Sequence, residues 1–173
     1  DGGWVVVGSS LGCAASVRPR TSQTIISVPF NARSYRSGTL RFRRAPSSGG
    51  IHVVLEVGVE SYMKGLSLVP ELWAPATIQA QAVTSRSNAL WSAADRGPEE
   101  SFDLARREEC HCNLYDGSPD QVFRGYTGET SHPNWVEAVT STTQQVMGFG
   151  GSVAFGLFSS SSGGWTESYG DVF

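Results

Sequence analysis

The chain has 173 residues, a formal charge of −3 at pH 7, and only 17% charged against 39% hydrophobic residues. That length suits one domain with a substantial core, and the acidic balance excludes a nucleic-acid surface, which needs a net basic patch. No apolar run approaches the ~20 residues that cross a bilayer. The 20 glycines, with abundant serine, suit a loop-rich fold of the secreted kind. The chain begins at Asp1, so any signal peptide is expected to have been removed or to lie outside the sequence.

The first third reads as β structure. Trp4 to Val7 and Thr24 to Val28 are short β-branched runs separated by Gly, Pro and Ser. Thr39 to Arg43 alternates Leu40 and Phe42 with Arg41 and Arg43, the period of a half-buried strand. Pro46 to Gly50 is a turn cluster, and Ile51 to Val57 is the returning strand of a hairpin. The period then changes, and Glu60 to about Leu68 suits a short helix ending near Pro70. A second helix starts near Pro75 and runs to about Ala94, with Gly97 and Pro98 as its stop. Its alanines at 76, 80, 82 and 89 permit close approach of another element.

Pro98 to Cys112 reads as an irregular charged loop, and Val122 to Tyr126 as a strand. Trp135 to Thr142 suits a short helix with Trp135, Val136 and Val139 on one side. Gln145 to Phe149 and Ser152 to Phe158 flank Gly150-Gly151 as a second hairpin, and Ser159 to Ser168 is a polar loop. The cysteines are Cys13, Cys110 and Cys112, an odd set that allows at most one internal disulfide. A Cys110–Cys112 link, a link from Cys13 to either, and Zn²⁺ held by Cys110, Cys112 and His132 or His111 all stay open. No nucleophile-elbow pattern surrounds any serine, so a Ser-His-Asp hydrolase is set aside.

Several segments together carry a resemblance. Tyr62-Met63-Lys64-Gly65-Leu66, Val69-Pro70, Trp73 and Gln79-Ala80-Gln81-Ala82-Val83 with Arg86 come first. Cys110-His111-Cys112-Asn113-Leu114-Tyr115, Gln121-Val122-Phe123-Arg124-Gly125-Tyr126 and Ala138-Val139 with Thr142 and Val146 follow. The serine-glycine run Ser160-Ser161-Ser162-Gly163-Gly164-Trp165-Thr166-Glu167 and Asp171-Val172-Phe173 close the series. In this order they resemble the SpoIID/LytB domain of bacterial sporulation and cell-wall proteins. With the element reading, the resemblance implies an α+β fold, with β-hairpins and a small mixed sheet packed on two or three helices. It implies a single loop-rich domain over residues 36–173, short of the family's C-terminal end, behind a β extension over residues 1–35.

The resemblance also implies an extracytoplasmic, bacterial domain acting on peptidoglycan glycan strands, with lytic transglycosylation as the family reaction. A carboxylic acid protonates the glycosidic oxygen, and the muramyl 6-hydroxyl closes on C1 to give an anhydro sugar. Laying the family pattern on Tyr62, Gly65, Val69, Pro70 and Trp73 puts that acid at Leu68, and leucine donates no proton. Two readings follow: Glu71 serves as a displaced catalytic acid, or the domain keeps its groove without one. Trp73, Gln81, Ser160, Ser161, Ser162, Gly163, Gly164, Trp165 and Thr166 are the expected sugar-binding residues, the tryptophans stacking on pyranose faces. Glu60 is expected to cap or pair near its helix start, and Arg86 and Gln81 to anchor theirs to neighbouring loops. An amidase-enhancing module, with a cell-wall amidase as partner, and a structural domain of a surface assembly are the alternative functions.

Overall fold

The computed structural model describes residues 14–66, 68–159, 164–165 and 167–172. The expected strand at Trp4 to Val7, together with Cys13, Ser160 to Gly163 and Thr166, lies outside the described residues. The described chain opens with β1 (Ala14–Val17), β2 (Ile26–Val28), β3 (Arg33–Tyr35), β4 (Thr39–Arg44) and β5 (Ile51–Glu56). β4 is the centre of an antiparallel sheet ordered β1-β4-β5, and β2 pairs with β3. The β4–β5 hairpin sets Leu40 opposite Leu55 and Phe42 opposite Val53. That register puts the apolar set of both strands on one face, as the period-2 pattern requires. On the other face Arg43 makes a bidentate pair with Glu99, with donor–acceptor distances of 2.6 and 3.1 Å.

Helices follow: α1 (Val59–Lys64), α2 (Pro75–Arg96), α3 (Leu104–Glu109), α4 (Tyr126–Ser131) and α5 (Pro133–Ser141). A short hairpin of β6 (Gly148–Phe149) and β7 (Ser152–Val153) comes next, then α6 (Tyr169–Val172). This is the α+β arrangement expected, with helices gathered against antiparallel strands. The core joins Leu40 of the sheet to Met63 and Leu66 at α1, Ile78, Ala82 and Ala89 of α2, and Trp135 and Val139 of α5. Ala82 and Ala89 are buried, as close packing on α2 demands, while Ala76 and Ala80 face solvent.

Three expectations change. The first helix stops at Lys64 rather than near Leu68, because Leu66 leaves the helix to bridge Phe123. The supposed loop from Pro98 to Cys112 contains a 3-10 turn at Glu99–Ser101 and then α3. Asp103 caps α3, its side chain accepting the Arg106 N–H at 2.7 Å, and Leu-Ala-Arg-Arg-Glu-Glu are strong helix formers. The supposed strand from Val122 to Tyr126 makes only single bridges, Phe123 to Leu66 and Gly125 to Ser34. Gly125 takes a positive φ of 61°, which ends the extended run and turns the chain into α4.

Glu108 ties α3 to the β4–β5 turn, its carboxylate accepting the N–H groups of Ser47 at 2.7 Å and Ser48 at 2.8 Å. These bonds hold its carboxyl well below the ordinary value of 4.5, at about 2. Because the folded value is depressed, the tie is complete above 4.5 and is lost as the pH falls through about 2. Glu108→Gln should raise amide exchange at Ser47 and Ser48 at neutral pH. Unchanged protection would show that the tie does not hold the turn.

Candidate functional site

The candidate region is built on α2. Pro75 opens that helix where a missing N–H costs nothing. Its inward face is lined by small residues, Ala82, Ser85, Ser87, Ala89 and Ser92. Arg86 sits among them, 1% exposed. A buried guanidinium is tolerated only when its donors are satisfied, and here each nitrogen has a partner. Nε and Nη2 donate to the two oxygens of Glu60 at 3.0 and 2.9 Å. Nη2 also reaches the Val139 carbonyl at 3.1 Å, and Nη1 the Gln145 carbonyl at 3.0 Å. One cation thereby joins α1, α2, α5 and the chain leading to β6.

The segment between α1 and α2 holds the position where an acid was sought. Leu68 is half-buried and packs against the hydrophobic core. Glu71 is engaged elsewhere. Its Oε2 accepts the Asn134 N–H at 2.8 Å and its Oε1 the Trp135 N–H at 3.2 Å, while Asn134 Nδ2 donates to its backbone carbonyl at 2.8 Å. These are the first N–H groups α5 has to offer, because Pro133 carries none and His132 supplies no side-chain cap. Glu71 therefore caps α5 from outside, with its charge at the favourable end of the helix dipole. The Trp135 indole completes the clamp by donating to the Met63 carbonyl at 2.7 Å.

Next to this clamp Trp73 is 43% exposed. Gln81, one and a half turns into α2, donates to Ser85 Oγ at 3.0 Å and stays half-buried. The chain after β7 packs on α2. Phe155 packs on Trp91 with ring centroids 4.4 Å apart, and the Gly156 carbonyl accepts from Asn88 Nδ2 at 3.1 Å. Gly156 lies so close to the Thr84 carbonyl that a Cβ there would collide with it. The chain thus passes from Trp91 to Asn88 and Thr84 between Phe155 and Gly156. Gly164 and Trp165 are exposed, Trp165 at 87%.

The cysteines resolve one open alternative. Cys110 and Cys112 form a disulfide, with Cα atoms 5.2 Å apart. Sulfurs bonded to each other are not the thiolates Zn²⁺ requires. No group of three His, Cys, Asp or Glu side chains among the described residues is placed to hold a metal. His132 instead lies between α4 and α5, its Nδ1 3.2 Å from the Gly128 carbonyl. The zinc set of Cys110, Cys112 and His132 does not fit this arrangement.

Sequence reasoning missed how the Cys110 to Asp120 loop is held. Arg106 donates from Nε to the Cys112 carbonyl at 2.9 Å and from Nη1 to the Tyr115 hydroxyl at 3.0 Å. Arg96 pairs with Asp120 at 2.7 Å, and Asp120 also accepts the Tyr115 N–H at 2.7 Å. Gln121 is buried behind them and donates to the Ser85 carbonyl at 3.0 Å. Arg106 falls in the stretch that reads as an irregular charged loop, where the Asp103 cap is the one local sign of a helix that could turn it inward.

Removing the Arg86 cation would leave Glu60 without its ion-pair partner and take a donor from the Val139 and Gln145 carbonyls. Arg86→Met should cost roughly 3 kcal/mol of stability, in the range for breaking a buried pair from one side. Glu60→Gln, which keeps an acceptor, should cost less. Denaturant unfolding of the two variants checks the order, and equal losses would contradict it.

The sequence model of one family, described as stage II sporulation protein (SpoIID), matches residues 47–149. That span runs from the β4–β5 turn to β6 and takes in Glu60, Leu68, Glu71, Arg86 and the disulfide loop. No curated protein and no solved structure matches the chain. Membership points to a cell-wall-related, sporulation-type domain, and no helix among the described residues is long and apolar enough to cross a membrane. The matched span covers well over half of the chain, and the chain belongs to the SpoIID family.

Proposed function

We propose that this domain binds peptidoglycan glycan strands at the α2 N-terminal end and does not cleave them. The carrying observation is the pair Leu68 and Glu71. The position that would hold the family's acid carries a leucine packed on the core, and both oxygens of the nearest carboxylate accept helix N–H groups. A general acid must present a proton to the glycosidic oxygen within hydrogen-bond reach. Glu71 is committed as an acceptor and as a cap, so supplying that proton would weaken its bonds to the first N–H groups of α5.

The binding half of the reading rests on exposure. Trp73 and Trp165 present aromatic faces to solvent, as stacking on pyranose rings requires. Gly156, four residues before that run in sequence, packs on Thr84 and Asn88 of α2. Hydroxyls and backbone amides of that run, Ser160 to Thr166, would serve sugar hydroxyls. The intramolecular disulfide supports an oxidising, extracytoplasmic setting.

Denuded glycan strands should sediment with the protein and yield no anhydro-muramyl product by mass spectrometry. Leu68→Glu restores a carboxyl at the family position, and product should appear only in that variant. Glu71→Gln should lower stability by about 1 kcal/mol, the usual cost of a lost cap, with glycan binding kept. Product from the unaltered protein that disappears in Glu71→Gln would make Glu71 the acid and overturn the proposal.

A further inference from the structure

The larger sheet ends at β5, with β4 on one side of it and no described strand on the other. Its Ile-His-Val-Val-Leu-Glu sequence carries no Pro or Lys, the residues that blunt an exposed edge. Near-continuous apolar runs belong to strands covered on both faces, yet no residue of β5 is fully buried. Every second residue turns its N–H and C=O away from β4. No hydrogen bond from another described residue meets these outward groups.

A groove of about 770 Å³ follows this edge, and every residue from Ile51 to Val57 lines it. Successive residues of a strand point to opposite faces, so a space that touches all of them runs along the strand's flank. Ala93 of α2 and Leu114 line it from outside the sheet. Phe30 and Ile51 line it as well, and they are 78% and 71% exposed.

The run Trp4 to Val7 lies outside the described residues but within reach of this edge. Ala14 faces Arg43, and Arg43 faces His52, so β1 begins level with His52 and two strands away. A strand added outside β5 would lie ~14 Å from β1, at ~4.8 Å per strand. Gly8 to Cys13, with two glycines and two serines, reaches ~20 Å when extended. β1 and β5 run in the same direction, both antiparallel to β4. A segment that precedes β1 and crosses the sheet therefore lies antiparallel to β5, and the order segment-β5-β4-β1 is that of a Greek key.

The opposite edge suits this segment less. β1 is only Ala-Ala-Ser-Val, and Arg18-Pro19-Arg20 follow it, the charge and proline that protect an edge. Trp4-Val5-Val6-Val7 is apolar on both alternating faces and needs cover on both. A short tether also holds a segment at an effective concentration of about millimolar order, above that of a second copy in dilute solution.

We propose that Trp4 to Val7 docks as a fourth strand along the outer edge of β5, occupying the groove and covering Phe30 and Ile51. The placement is independent of the glycan reading, since it uses neither Leu68 nor Trp73 and Trp165.

Amide exchange of the whole ¹⁵N-labelled chain, followed by two-dimensional NMR, tests it. An edge strand protects every second amide, whereas a strand with neighbours on both sides protects them all. Protection at each of His52, Val53, Val54 and Leu55 is expected, unchanged on about tenfold dilution because the segment is tethered. The double substitution Val5→Pro and Val6→Pro removes a donor whichever of the two N–H groups faces β5. It should speed exchange about 10-fold at the outward amides, the loss of roughly one hydrogen bond each. The amides bonded to β4 should keep their protection and so report that the fold is intact. Alternate protection in the unaltered protein overturns the proposal. So does protection that survives the double substitution, that fades on dilution as pairing with a second copy would, or an effect of the substitution confined to β1.

Discussion

A single buried cation organises the helical half of this protein. Arg86 is surrounded by apolar and small residues where an unpaired charge would cost far more than the molecule's net stability. The fold must therefore bring Glu60, the Val139 carbonyl and the Gln145 carbonyl to it. Each partner lies on a different segment, so satisfying the guanidinium fixes α1, the end of α5 and the approach to β6 relative to α2. Apolar packing of Trp135, Val139 and Ile78 supplies the bulk of the driving force, but it is less directional. The Arg86 bonds select one arrangement of those helices. Glu60 belongs to this framework, and its oxygens are used up by it.

The same logic governs the other carboxylate. α5 begins with His132-Pro133, which can neither cap the helix nor donate from the proline. The N–H groups of Asn134 and Trp135 then need an acceptor from elsewhere, and Glu71 provides it. A side chain three residues from Leu68 thus serves the architecture of the site. The loop between α1 and α2 is held from two directions, by Glu71 on α5 and by the Trp135 indole on α1. That rigidity keeps Trp73 in place at the surface, which suits recognition of an extended polymer by a preformed face.

Much of this was legible in the sequence. The β4–β5 hairpin followed from strict alternation in Thr39 to Arg43, and α2 from Pro75 at one end and Gly97 at the other. The pairing of Glu60 near its helix start, and the anchoring role of Arg86, were also readable. The misread parts share a physical cause. α3 is short and charged, with no apolar stripe to show its period, so its one signal was the Asp103 cap. Phe123 and Gly125 carry strand-like composition but each form a single β-bridge among the described residues, which no local pattern reveals. Glu71 as a cap for α5 depends on a contact 63 residues away in sequence. The approach of His52 to His111, ring centroids 5.8 Å apart, is tertiary in the same way, since β5 and the disulfide loop converge there.

The central claim is that the exposed tryptophans, Trp73 just before α2 and Trp165 in the serine-glycine segment, recognise glycan strands. Two-dimensional NMR of the ¹⁵N-labelled protein, titrated with short denuded glycan oligomers, addresses it residue by residue. The account predicts saturable shifts of the Trp73 and Trp165 indole signals and of the Gln81 side-chain amide, with the buried Trp135 indole unmoved. Shifts confined to other surfaces, or none at millimolar oligomer, would contradict it.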